Sequence, residues 1–353
     1  MMSGITNARA WQMDVPGQPL VGRSITIAAP GSDEVVVEVA GCGLCHTDLS
    51  FLYGGVKPRK ELPLTLGHEI TGTVISAGPG AESLLGRAVL VPSVIPCGSC
   101  DICRAGRANA CRRQLMPGND MDGGFATHVR VPARFLAPIE TRELALWELS
   151  IVADAVTTPL QSMERAKVGA GDVVVVIGTG GIGTYGVQIA AARGALVVAV
   201  DIDPAKLAAI AKFGARATVC AAGLDARATR EAVREAARQH AAANWGWKVF
   251  EMSGTAGGQA AAYELMTFAG TVGFVGFGME KVPVRLSNLM AFDATAFGNW
   301  GCHPALYPEA IQMVVSGRVA VRPFIRRFPL DEINHVLDLA RSHQLTERAV
   351  LVP

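Results

Sequence analysis

The sequence has almost no net charge. Its 32 basic and 31 acidic residues nearly cancel over 353 positions, so neither nucleic acid nor a membrane surface is an expected partner. Met1 to Met13 lacks a basic segment followed by an apolar run, so no signal peptide is expected. A membrane span is missing too. Val173 to Ala192 is uncharged, but G-T-G-G-I-G-T-Y-G at its middle breaks it into strand, loop and helix. Nor is the chain a disulfide scaffold, for which eight cysteines in this length are too few. Four of them cluster, which suits a metal in a reducing compartment, and the expected location is the cytoplasm.

Half of the residues are hydrophobic, and the length suggests about two domains. The chemistry concentrates between Cys42 and Glu69. G-C-G-L-C-H-T-D opens this stretch and L-G-H-E closes it. Cys45, His68 and Glu69 offer sulfur, nitrogen and oxygen donors, the set zinc takes in a tetrahedral shell; a catalytic zinc keeps one position open. Cys42 and Cys45 could themselves form half of a four-cysteine site. Cys45 alone is favoured, because Thr47 and Asp48 follow it and His68-Glu69 lies a loop away; Cys42 then packs as a small hydrophobe. A third ligand is needed. Asp154 is a lone acid among small and apolar residues, and buried acids are usually paired or metal-bound. Spacing alone leaves it open between ligand and exposed helix-end aspartate. Tyr53 to Glu61 reads either as a solvated loop or as a basic lip (Lys57, Arg59, Lys60) facing an anionic part of a substrate.

Cys97, Cys100, Cys103 and Cys111 are spaced to wrap one ion. Four thiolates fill the zinc shell, so this site is read as structural. An iron–sulfur cluster is the alternative.

Asp172 to Ile177 is a β-branched run. Gly178-Thr-Gly180-Gly181-Ile182-Gly183, a helical stretch, a second strand and Asp201 follow. In that context the glycines point to a dinucleotide whose pyrophosphate sits at the helix N-terminus. Asp201 binds ribose hydroxyls and repels a 2′-phosphate, and Ile202-Asp203 supply no arginine, so NAD is expected rather than NADP. Strand and helix signals then alternate, predicting a doubly wound sheet over 157–295 inserted into a split, β-rich domain at 1–156 and 296–353.

These residues resemble the zinc-dependent alcohol dehydrogenases of the medium-chain dehydrogenase/reductase superfamily, over essentially the full length. C-H-T-D at Cys45, G-H-E at Gly67, the four-cysteine lobe, G-T-G-G-I-G at Gly178 and Asp201 carry the resemblance. It implies an α/β chain with a GroES-like catalytic domain and a Rossmann NAD-binding domain. It also implies two zinc ions per chain and a homodimer or homotetramer. Cys45 and His68 match catalytic zinc ligands, and Asp154 falls where the family has its third. Glu69 matches a glutamate that can transiently coordinate the metal, His46 a residue near the cofactor phosphates, and Thr47 the hydroxyl that takes the substrate proton. Lys206 and Arg348 join the candidate cofactor contacts. Ser50 stands where many members have a relay histidine, and it is a poor base near neutral pH.

Within the family, M-P-G-N-D-M-D-G-G-F-A from Met116, and S-N-L-M-A-F with G-N-W-G-C from Ser287, resemble dehydrogenases of 6-hydroxycyclohex-1-ene-1-carbonyl-CoA in anaerobic aromatic degradation. That likeness implies a small-molecule substrate that is a coenzyme A thioester, its tail leaving past Lys57, Arg59 and Lys60. The alternatives are a zinc dehydrogenase acting on a non-CoA alcohol or polyol, a zinc-free reductase of the same superfamily, and a catalytically silent structural protein.

Overall fold

The computed structural model describes residues 4–353. The chain forms two compact units. The first takes residues up to Thr157, then Gly301–Gly317 and Val321–Pro353; the second takes Thr158–Trp300 and Arg318–Ala320.

The first unit is built on a seven-stranded sheet. Its spine runs Ile325–Pro329, Arg348–Val352, Glu34–Gly43, Glu69–Ala77, Ala88–Val91, Ala137–Pro138, and His128–Pro132 pairs with Glu34–Gly43. Val35, Val37 and Val39 bury one face of the long strand, with Ile70, Val74 and Val89 in the same core. Each such side chain contributes about 1.5–3 kcal/mol when buried. Pairing sets the register that matters for chemistry. Gly43 lies opposite Glu69 on one side and Val350 on the other.

The second unit carries a six-stranded sheet, parallel throughout. Its order is Ala217–Cys220, Leu196–Asp201, Val173–Ile177, Lys248–Glu251, Thr271–Phe274, Thr295–Gly298. All five residues of Val173–Ile177 are buried, as a strand covered on both faces requires. The order reverses between Val173–Ile177 and Lys248–Glu251, and ligands bind such sheets outside the strand ends at that reversal. The sequence reading ended this unit at 295. The structure extends it to Trp300, because Thr295–Gly298 pairs with Thr271–Phe274 as the edge strand. That strand is short and largely exposed, so it carries no apolar run to announce it. Among the described residues, no helix is long and apolar enough to cross a membrane.

Candidate metal centres and cofactor loop

The first centre is local. Between Cys97 and Cys111 the chain folds back on itself around a short helix, Asp101–Arg104, that starts just after Cys100. Cys97 and Cys111 sulfurs are 3.5 Å apart, Cys100 and Cys103 3.5 Å, Cys100 and Cys111 3.7 Å, and Cys97 and Cys103 3.9 Å. A tetrahedral zinc with bonds of about 2.3 Å would space its sulfurs at about 3.8 Å. The four thiols therefore fit one zinc ion and fill its shell. An iron–sulfur cluster, whose thiolates bind separate irons, would spread them farther. Backbone N–H groups of Ser99, Cys97 and Arg113 point at these sulfurs, and the Arg113 guanidinium donates to Cys97 Sγ at 3.3 Å. The Ser99 N–H, chief among these donors, holds the Cys97 thiol down to about 5, while burial pushes Cys103 up to about 12. Arg113 was not singled out from the sequence.

The second centre is assembled from distant segments. Cys45 caps the helix His46–Leu52. His68 follows Gly67, whose φ of +95° is left-handed backbone that glycine adopts without strain. Asp154 follows a 3₁₀ stretch, Leu146–Ala153. Asp154 Oδ2 lies 3.7 Å from Cys45 Sγ and 3.8 Å from His68 Nε2. Tetrahedral edges for such donors on zinc are about 3.4–3.5 Å, so the two edges to Asp154 need only a small contraction, and the three donors lie within 4.8 Å of one another. One position is left open by three donors. The Thr47 hydroxyl lies 3.7 Å from Cys45 Sγ.

Asp48, which the sequence reading used only as a marker, supports the trio from behind. It is fully buried. Its carboxylate accepts the backbone N–H groups of Cys45 at 2.9 Å and Gly67 at 3.1 Å, and stands 3.4 Å from His68 Nδ1. A carboxylate there fixes which imidazole nitrogen faces the metal. Burial opposes a charged His68, but Asp48 and Asp154 outweigh it and raise its pKa well above the usual value. The pocket is thus built to hold positive charge.

Glu69 completes the second group of donors, all within 4.8 Å of one another. Its carboxylate is buried and paired with Arg348, whose Nε donates at 2.9 Å and whose Nη2 also bonds it. Burial pushes Glu69 up to about 7 against the pull of Arg348. Arg348 loses from its own burial but gains more from Glu69 and Cys45, so it is held above its usual range. Gly43 makes room for this pair: a Cβ there would sit 2.0 Å from Glu69 Oε2.

In the other unit, the strand Val173–Ile177 runs into the glycine loop and the helix Gly183–Ala192. Gly178 has φ +85°, and a Cβ on it would meet Ser253 at 2.7 Å. A Cβ on Gly183 would strike the Gly178 carbonyl at 1.7 Å, whereas one on Gly180 meets nothing within 4 Å. The loop is tight where it meets protein and open where a pyrophosphate would approach. Asp201 ends the next strand. One oxygen accepts Thr179 N at 2.6 Å and Thr179 Oγ1 at 2.9 Å, and the other accepts Asp203 N at 3.0 Å.

The remaining sequence candidates are less concentrated. His46 is exposed at the start of its helix, and Ser50 Oγ donates to the His46 carbonyl at 2.9 Å. Lys206 is exposed on the helix Pro204–Ala211. Lys57 is exposed too, but Arg59 pairs with Asp120 at 3.2 Å and Lys60 with Asp122 at 3.2 Å. The basic lip is closer to neutral than its own stretch suggests.

Comparison with known proteins gives the family of both units. Residues 31–141 match the model of the alcohol dehydrogenase GroES-like domain, and 181–316 that of zinc-binding dehydrogenases. An alcohol dehydrogenase of Geobacillus stearothermophilus is 30% identical over 90% of this chain and 91% of its own. A candidate zinc-binding dehydrogenase of Sinorhizobium meliloti 1021 bound to NADP superposes with a TM-score of 0.87 at 27% identity, covering 100% of both chains. A cobalt- and zinc-bound thermostable alcohol dehydrogenase of Pyrobaculum aerophilum gives 0.83 at 25% identity, over 98% of this chain and 99% of that one.

Proposed function

The chain belongs to the zinc-dependent alcohol dehydrogenases of the medium-chain dehydrogenase/reductase superfamily, oxidoreductases that use zinc and a nicotinamide dinucleotide, and from that premise we propose a site, a cofactor and a substrate. The site is Cys45, His68 and Asp154. The observation that carries it is that Asp154 Oδ2 stands 3.7 Å from Cys45 Sγ and 3.8 Å from His68 Nε2, with all three donors within 4.8 Å of one another. Bound zinc would supply Lewis-acid polarisation of the alcohol oxygen, and bound NAD a hydride acceptor. Three protein ligands would leave the fourth zinc position for the alcohol oxygen. Thr47 takes the alcohol proton through its hydroxyl. Asp48 keeps the His68 imidazole turned towards the metal. Arg348 holds Glu69 back as an ion-paired carboxylate in reserve. Asp201 receives the ribose hydroxyls and disfavours a 2′-phosphate, which supports NAD over NADP.

The substrate proposed is a secondary ring alcohol on a coenzyme A thioester, 6-hydroxycyclohex-1-ene-1-carbonyl-CoA, oxidised to the ketone. The likeness of the segments from Met116 and Ser287 supports it. With Arg59 paired to Asp120 and Lys60 to Asp122, Lys57 is left as the main contact for the anionic tail. The test is NADH formation by the holoenzyme from NAD+ and this thioester, with simple alcohols and polyols alongside. Turnover confined to the thioester is expected. Turnover on simple alcohols alone would remove coenzyme A from the reading and leave the zinc dehydrogenase intact.

A further inference from the structure

Asp154 differs from the other two ligands in its support. Cys45 caps a helix and His68 leads into a strand, whereas Asp154 has φ −136° and ψ −56°, outside any regular element. The peptide just before it is held in an unusual way. The Ala153 carbonyl ends a 3₁₀ stretch, where carbonyls lack partners within the helix. It accepts three side-chain hydroxyls: Ser93 at 3.1 Å, Thr157 at 3.0 Å and Tyr307 at 3.1 Å. All four residues are buried. The donors come from separate places: just past the strand Ala88–Val91, the start of the helix Thr157–Arg165, and the start of the helix Tyr307–Val315. A carbonyl oxygen has two lone pairs, so three donors exceed what satisfying it requires.

We propose that Ser93, Thr157 and Tyr307 are positioning residues: together they lock the Ala153 peptide and so aim the Asp154 carboxylate at the metal. This rests on Asp154 being a ligand.

The redundancy gives the proposal a signature. Ser93→Ala, Thr157→Val and Tyr307→Phe each leave two donors for two lone pairs. Each alone should change the rate at which a chelator removes the catalytic metal by less than about 3-fold. The combined variant should lose it about 10–100-fold faster, as when support behind a ligand is removed, while the four-cysteine zinc stays. In the cobalt-substituted protein the visible bands of the open centre should shift only in the combined variant. Single effects that simply add up to the combined one would overturn the proposal, as would a combined variant that holds metal as firmly as the parent. If the combined variant does not fold, Ser93→Ala/Tyr307→Phe decides, since it leaves one donor: faster metal loss than either single is expected, and no change overturns the idea. Asp154→Ala separates the two readings. Should it keep the catalytic metal, the ligand assignment itself falls; should it lose the metal while the combined variant does not, only the clamp falls.

Discussion

The four-cysteine lobe draws every donor from one stretch between Cys97 and Cys111, whereas the open centre collects Cys45, His68 and Asp154 from three places in the same unit. The environments differ as much as the sources. Around the lobe, N–H groups and Arg113 point at the Cys97 and Cys111 sulfurs, which stabilises thiolate there. Around the open centre, carboxylates surround an imidazole, which stabilises a cation. A local closed shell serves folding, because the metal staples its own loop. A shell assembled from afar leaves room for a ligand, and its geometry depends on the whole unit around it.

Breaking each centre should therefore cost different things. The largest effect is expected from Cys103→Ser. Removing one of four ligands should empty the lobe and cost several kcal/mol, lowering Tm by ~10 °C or more. Turnover per folded molecule should stay close to the parent value. A lobe that keeps its zinc and its melting point after this change would show that the ion there is incidental. Next comes Asp48→Asn, which keeps the size behind His68 but removes the charge and one of the two oxygens that accept the Cys45 and Gly67 N–H groups. Catalytic metal binding, read by equilibrium dialysis, should weaken about 10–100-fold, with the lobe still loaded. If both centres lose zinc together, their independence is an illusion and the comparison fails.

What the sequence revealed follows the same division. The lobe was legible because its ligands are close along the chain. The cofactor loop was legible because Val173–Ile177, the glycines and Asp201 stand in order within one strand–helix–strand unit. The edge strand Thr295–Gly298 was not, being short and exposed. Contacts across long separations were hidden for a different reason. Arg348 meets Glu69 across 279 positions and Arg59 meets Asp120 across 61, and no spacing rule connects such pairs. Asp48 was visible as a residue but not as a support, because its task depends on where Gly67 and His68 arrive.

The smallest expected effect is a difference in pH. A proton and a metal compete for the same imidazole nitrogen, so a raised histidine pKa means that competition begins at higher pH. Burial works against the His68 imidazolium, yet Asp48 and Asp154 raise its pKa well above the usual value. Acidification should therefore displace the open-centre metal early. In the lobe the thiols are shifted in opposite directions. The Ser99 N–H leads the donors that hold the Cys97 thiol down to about 5, whereas burial pushes Cys103 up to about 12. Titrating the zinc-loaded protein with acid beside a chromogenic chelator should release one equivalent at mildly acidic pH. The four-thiolate ion should follow it, because four ligands rather than three must let go. A single step that frees both ions would mean that the centres unfold together, and that the charges built around them do not set the order of release.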